Sequence, residues 1–172
     1  MSDDSEAPEA PTPPERRAGA LVGSGHGQLV LHPTRAEYPA TVRALKTEGF
    51  NTCADLCAVD YLGYSAARGL PQSIEAERFE VVVNLLSHAA RTRVRVRVQI
   101  AESDCRVASL YDIYPGTEAM EREAYDLFGV WFDEHPDMTR ILMPDTWDGH
   151  PLRKDYATGR IPVQFNGAPH PR

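Results

Sequence analysis

The 172-residue chain lacks most of the features that announce a function class. Its longest apolar runs, such as Val81-Val82-Val83, fall far short of the ~20 residues that span a bilayer, and no apolar stretch follows the N-terminus as in a secretory leader. Positive charge is in deficit: 18 Lys and Arg against 25 Asp and Glu give a net charge of −7. A general nucleic-acid binder needs a basic surface to displace counterions, so nucleic acid is not an expected partner. Cysteine is sparse, and Cys53, Cys57 and Cys105 form neither an even disulfide framework nor the close repeated spacing that holds zinc or an iron-sulfur cluster. On one strand the sulfurs of Cys53 and Cys57 would sit about 13 Å apart at ~3.3 Å per residue, too far to chelate one metal. Reduced thiols in a cytoplasmic compartment are expected. Also missing are a Gly-x-Ser-x-Gly elbow, a Gly-Lys-Ser/Thr phosphate loop and a dinucleotide fingerprint.

What remains fits one soluble α+β domain, a small antiparallel or mixed sheet with packed helices and a long irregular C-terminal arm. Residues 1–27 read as a disordered, acidic, Pro-rich tail ending in a flexible Gly-Ser-Gly-His-Gly joint, residues 28–132 as the domain and residues 133–172 as an extended docking arm. Thr34 with Glu37 predicts a helix start, Tyr38, Val42 and Leu45 its buried stripe, and Gly49 its end. Residues 53–61 read as a strand. Phe79 to Leu86 and Arg93 to Ile100 alternate strictly and predict two antiparallel strands. Arg93, Arg95 and Arg97 then form one face, either solvated or a docking stripe for an acidic partner. A second helix runs from Thr117 to Gly129 with Met120, Ala124, Leu127 and Phe128 toward the core, Arg122 pairing with Asp126, and Glu121 and Glu123 on the polar side. Val130 to Phe132 reads as a short extended segment, after which recurrent prolines forbid long regular elements. In that arm Ile141, Leu142, Met143, Trp147, Leu152 and Phe165 need burial.

The residue types from Glu121 to Asp155 are those that catalyse, but their spacing is not. Glu121 and Glu123, two apart on a helix, diverge and cannot flank one bond. His135, Asp137 and His150 could hold a metal for a hydrolase, yet they lack the paired spacing that makes such a site specific.

Several linked stretches occur in fixed order: Glu121-Arg122-Glu123-Ala124-Tyr125-Asp126-Leu127-Phe128-Gly129, then His135-Pro136-Asp137-Met138-Thr139-Arg140-Ile141-Leu142, then Trp147-Asp148-Gly149-His150-Pro151-Leu152-Arg153-Lys154-Asp155. Together they resemble the signature of the 30 kDa subunit family of proton-pumping NADH:quinone oxidoreductase, respiratory complex I. Upstream, Arg78 to Ser87, the arginine-valine strand and Ser109 to Pro115 are similar to the family in the same order, so the resemblance covers roughly residues 53–165. The chain departs from the family's pattern at Glu118-Ala119, where Asn-Trp is usual, at Thr139, where a second arginine is common, at Glu134 in place of a glycine, and at Ala157 in place of a proline.

The resemblance implies a non-redox structural subunit of the hydrophilic arm of complex I. Its C-terminal segment would pack on the subunit that helps form the quinone site, and it would touch other hydrophilic-arm subunits. No cofactor would be bound by this chain; FMN, iron-sulfur clusters and quinone would belong to partner subunits that carry electrons from NADH to quinone. It would lie peripherally on the cytoplasmic side of the plasma membrane, reaching the membrane only through the complex. Arg122, Asp126, His135, Arg140, His150, Arg153 and Asp155 are the residues expected to serve the partner interface. The alternative is the same subunit in a related F420- or ferredoxin-type quinone oxidoreductase or a membrane-bound hydrogenase.

Overall fold

Strict alternation in two neighbouring segments builds the centre of the molecule, as seen in a computed structural model that describes residues 15–25, 27–157 and 159. Strands β5 (Phe79–Ser87) and β6 (Thr92–Ile100) pair antiparallel from Phe79 opposite Ile100 to Ser87 opposite Thr92. Because side chains alternate across a strand, Phe79, Val81, Val83 and Leu85 share an inner face with Val94, Val96, Val98 and Ile100, and all eight are buried. Each contributes about 1.5–3 kcal/mol relative to exposure. The outer face carries Glu80, Val82 and Asn84 against Gln99, Arg97 and Arg95.

Around this hairpin the sheet has six strands in the order β1-β2-β3-β6-β5-β4, with β1 Arg16–Arg17, β2 Ala20–Gly25, β3 Gln28–His32 and β4 Thr52–Asp60. Within this sheet, among the described residues, β3 and β6 are the only parallel neighbours. A separate two-stranded parallel sheet joins β7 (Arg106–Ala108) to β8 (Trp131–Asp133), the short extended segment expected after the second helix. Helix α1 (Tyr38–Thr47) and helix α2 (Glu118–Phe128) complete one core with the inner sheet face through Tyr38, Val42, Leu45 and Ala124.

The reciprocal bonds expected of Thr34 at the start of α1 are there: the Glu37 N–H donates to Thr34 Oγ1 at 3.3 Å, and the Thr34 N–H donates to the Glu37 carboxylate at 3.0 Å. They close a turn one step before the regular helix, which begins at Tyr38. The expected end holds, with Gly49 at φ +97°.

The N-terminal boundary needs correction. Arg16–Arg17 and Ala20–Gly25 are not tail but strands of the sheet, and β2 joins β3 through a hairpin whose turn contains Gly27 at φ +73°. Glycine content concealed this strand. At Gly23 the missing side chain makes room for the His32 ring, whose Nε2 lies 2.9 Å from where a Cβ would stand. That glycine is a packing device, not a joint. Residues 1–14, and Phe165 in the arm, lie outside the described residues.

Candidate functional site

Helix α2 ends at Gly129, whose φ of +75° suits a residue without Cβ, and its last carbonyls need donors. The Gly129 N–H reaches Tyr125 O at 2.8 Å. Asp126 O receives the Nδ1–H of His150 at 3.0 Å and a long bond from Arg140 at 3.3 Å, Leu127 O the N–H of Leu152 at 3.0 Å, and Phe128 O the Arg153 guanidinium at 2.6 Å. The Gly-His-Pro-Leu-Arg stretch therefore caps the helix carbonyl by carbonyl, with the Arg153 cation at the negative end of the dipole. A Cβ on Gly129 would come within 2.6 Å of His150 and would also strike Arg153.

The Asp126 side chain is fully buried and supplies the second fastening. It accepts the Arg140 guanidinium at 2.6 Å and three successive backbone N–H groups, from Ile141 at 3.1 Å and from Leu142 and Met143 at 2.8 Å each. Burial alone would raise its pKa, but the Met143 N–H, Arg140 and the Leu142 and Ile141 N–H groups outweigh burial and hold the carboxyl below its ordinary 3.8. Arg140 continues to Trp147 O at 2.9 Å and Gly149 O at 3.0 Å. One guanidinium thus joins the helix to both halves of the arm.

Arg122 does not pair with Asp126 as its spacing suggested. It donates to Thr139 O, Thr139 Oγ1 and Arg140 O at 2.9–3.1 Å, because the arm crosses the helix and offers better acceptors than a neighbour already committed to Arg140. Glu121 also departs from expectation: its carboxylate is fully buried, accepting Ser109 Oγ at 2.6 Å and the Leu110 N–H at 2.7 Å, with its pKa raised by burial against those donors. Of the helix's polar side, Glu121 and Asp126 face inward while Glu123 stays exposed. His135 receives the Asp137 N–H on Nδ1 at 3.1 Å and meets Glu118 O through Nε2 at 3.1 Å, which selects the tautomer protonated on Nε2.

At the far end of the arm, the Lys154 N–H reaches Asp60 Oδ2 at 2.9 Å, and Asp155 meets Arg78 at 2.8 Å. Asp60 is buried and pairs with Arg78 at 2.9 Å; burial opposes its ionisation, but Arg78 and the Lys154 and Leu62 N–H groups lower its pKa to about 2. Sequence reasoning missed Asp60 and Arg78 as anchors of the arm. A signal existed, since Asp60 falls in step with Leu56 and Ala58 on the buried period of β4.

All seven residues expected at a partner interface are thus engaged within the chain. Their collective effect is to hold an irregular arm with its apolar side chains outward: Ile141, Leu142 and Leu152 are 40%, 61% and 48% exposed. Burial of these three within the chain does not occur; Met143 and Trp147 are half-buried. The metal-hydrolase grouping is not assembled. His135 and His150 bind carbonyls eight residues apart on α2, about 12 Å at 1.5 Å per residue, and among the described residues no three His, Cys, Asp or Glu gather as a metal set. Among them, too, no helix is long and apolar enough to cross a membrane.

Residues 31–161 match the sequence model of the family described as respiratory-chain NADH dehydrogenase, 30 Kd subunit. The chain belongs to this family. An NADH-quinone oxidoreductase subunit from Salinispora arenicola is 40% identical over 148 residues, which cover 84% of this chain and 56% of that protein. The like-named protein of Mycolicibacterium smegmatis is 38% identical over 84% of this chain and 58% of its own length, and that of Xanthomonas euvesicatoria 36% identical over 88% and 77%. The chain thus spans little more than half the length of the Salinispora and Mycolicibacterium relatives. A trypsin-resistant fragment of Nqo5 shares the α+β fold with a TM-score of 0.60 and 34% identity, covering 69% of this chain and 89% of the fragment. A chain of an archaeal membrane-bound sulfane sulfur reductase aligns with a TM-score of 0.65 and 25% identity over 81% of this chain and 78% of its own. In this 30 kDa family chain the linked motifs of the C-terminal third are helix caps and clamps.

Proposed function

We propose that this chain is a non-redox structural subunit of the hydrophilic arm of a proton-pumping NADH:quinone oxidoreductase. It packs through residues 133–172 on the subunit that helps form the quinone site. FMN, iron-sulfur and quinone chemistry is left to its partners, and the chain lies peripheral to the membrane on its cytoplasmic side. The observation that carries this reading is the outward display of Ile141, Leu142 and Leu152 on an arm pinned by Asp126, Arg140 and His150. Large apolar side chains held outward by buried polar bonds suit a surface built for a neighbour. The seven motif residues serve that interface by positioning it. Replacing Ile141 and Leu142 by Asp in the complex tests this: the quinone-site partner should no longer co-purify, while the isolated variant keeps its melting temperature. Full retention of that partner would overturn the assignment.

The alignment with a chain of the sulfane sulfur reductase favours one second reading, the same packing role in a related respiratory complex with a different electron-input module. Affinity purification from membranes separates the two. Flavin-binding NADH subunits among the captured proteins support the first reading, and their replacement by another input module supports the second.

A further inference from the structure

The outer sheet face carries a row of arginines that the arm does not use. Arg93 and Arg95 stand on β6, Arg91 in the turn before it, and alternate residues of a strand lie about 6.8 Å apart. Among the described residues none of the three makes an ion pair, whereas Arg97, next in the row, is held by the buried Glu80 at 2.7 Å. Arg95 donates to Asn84 at 3.1 Å, which leaves most of its guanidinium N–H groups without a protein acceptor among the described residues. The residues directly opposite the row are neutral, with Leu86 opposite Arg93, Asn84 and Val30 on either side of Arg95, and Val82 opposite Arg97; one strand further out, the Asp55 carboxylate on β4 accepts from the Asn84 amide at 3.5 Å. A concavity opens at each end. One, of about 560 Å³, is lined by Arg17, Leu29, Phe50, Arg91 and Arg93; the other, of about 400 Å³, by Tyr61, Arg68, Val82 and Arg95 together with Glu80, whose charge is met by Arg97.

Like charges placed in line on a chain of net charge −7 repel one another and attract a local anion. We infer that this face binds an extended acidic polypeptide segment of another protein, its carboxylates at alternate positions. An extended segment has the same ~6.8 Å repeat as the arginines, so each carboxylate can meet one guanidinium. Its intervening side chains point away from the sheet, to solvent. A long polyanion such as nucleic acid has phosphates at a similar spacing, but the acidic remainder of the chain repels it beyond the row. The surface is separate from the arm, so this inference and the proposed packing at the quinone site stand or fall independently.

The probe is a fluorescein-labelled peptide of four Glu-Thr repeats, with four Thr followed by four Glu as the isomer of equal charge, each titrated into the full chain by fluorescence anisotropy. The alternating peptide should bind at least tenfold tighter than the block isomer and weaken as salt rises. R93E/R95E, and the milder R93Q/R95Q with an unchanged melting temperature, should weaken it by tenfold or more, while R43E on the exposed side of α1 should not. Equal affinity for the two peptides, an equal loss in R43E, or no binding would overturn the inference. So would an oligothymidylate of eight nucleotides binding as tightly, which would make the surface one for nucleic acid. Tenfold tighter peptide binding by a chain lacking residues 1–14 would overturn it in favour of the chain's own acidic N-terminal segment.

Discussion

Changing Asp126 to Asn removes the charge at the centre of the clamp with little change of shape. In the native chain the carboxylate accepts one guanidinium and three backbone N–H groups in a site without solvent contact. The three backbone N–H groups all reach Oδ2 and Arg140 reaches Oδ1, so an amide that keeps its oxygen on the backbone turns its NH2 toward Arg140, which then keeps a largely buried charge without its counterion. Breaking a buried ion pair by removing one partner costs about 3–5 kcal/mol, and hydrogen bonds to a charge contribute about 1.5–3 kcal/mol each without adding in full. A cost of about 4 kcal/mol is expected for the cooperative unit that contains the arm. Hydrogen exchange localises it: the amides of Ile141, Leu142 and Met143 should exchange on the order of 1000-fold faster, while those of β5 and β6 change far less. The pH dependence carries a definite sign. A carboxyl held below its unfolded pKa contributes stability that is present above about pH 4 and is lost as pH falls through the folded value, so wild type and D126N should converge in acid. Unchanged protection of the three amides in D126N at neutral pH would show that the arm is held by other contacts.

Glu134 occupies a left-handed backbone position at φ +64°, where the family pattern has glycine, so E134G should raise stability by about 1 kcal/mol in urea melts. Glu121 behaves in the opposite sense to Asp126. Its pKa is raised by burial, so the neutral isostere E121Q should gain stability over wild type as pH rises above 4.5, with the two equal in acid. His32 is buried, and burial with Arg97 nearby lowers its pKa to about 4. The unfolded chain binds the proton first, so about 2–3 kcal/mol of stability should disappear as pH falls from 6.5 to 4, and an H32N variant should lack that step in denaturant melts.

The sheet centre was legible because eight apolar positions alternating in two strands fix which face of each is buried, and the short connection makes them antiparallel neighbours. The second helix was legible in extent, since Gly129 stops it, but its inside was misjudged. Periodicity alone assigns Glu121 and Asp126 to water, and the sequence does not reveal that Ser109, Leu110, Arg140 and residues 141–143 bring enough donors to bury them. The Arg122 and Asp126 spacing was compatible with a pair, yet compatibility is weak where a non-local segment supplies better partners. β1 and β2 were missed for a different reason. Glycine carries no hydrophobic signal, and Gly23 is needed for the space its hydrogen leaves beside His32.

The polar character of the clamp bears on how the arm could recognise a neighbour. An arm fastened by hydrophobic burial would turn Ile141, Leu142 and Leu152 inward, because non-directional contacts have no means of keeping apolar side chains in water. Directional bonds do. The N–H groups of Ile141 and Leu142 point at Asp126, so on this tight backbone their side chains remain exposed at 40% and 61%. The Leu152 N–H is likewise fixed on Leu127 O while its side chain stays 48% exposed. Ordering such a segment at the moment of association would cost about 0.5–1.5 kcal/mol per immobilised side chain in addition to its backbone entropy. Here much of that ordering is completed on folding, by residues that need never touch the partner. Asp126 and Arg140 can therefore govern affinity from inside the chain, which explains why a segment so rich in charged and aromatic residues presents leucine and isoleucine outward.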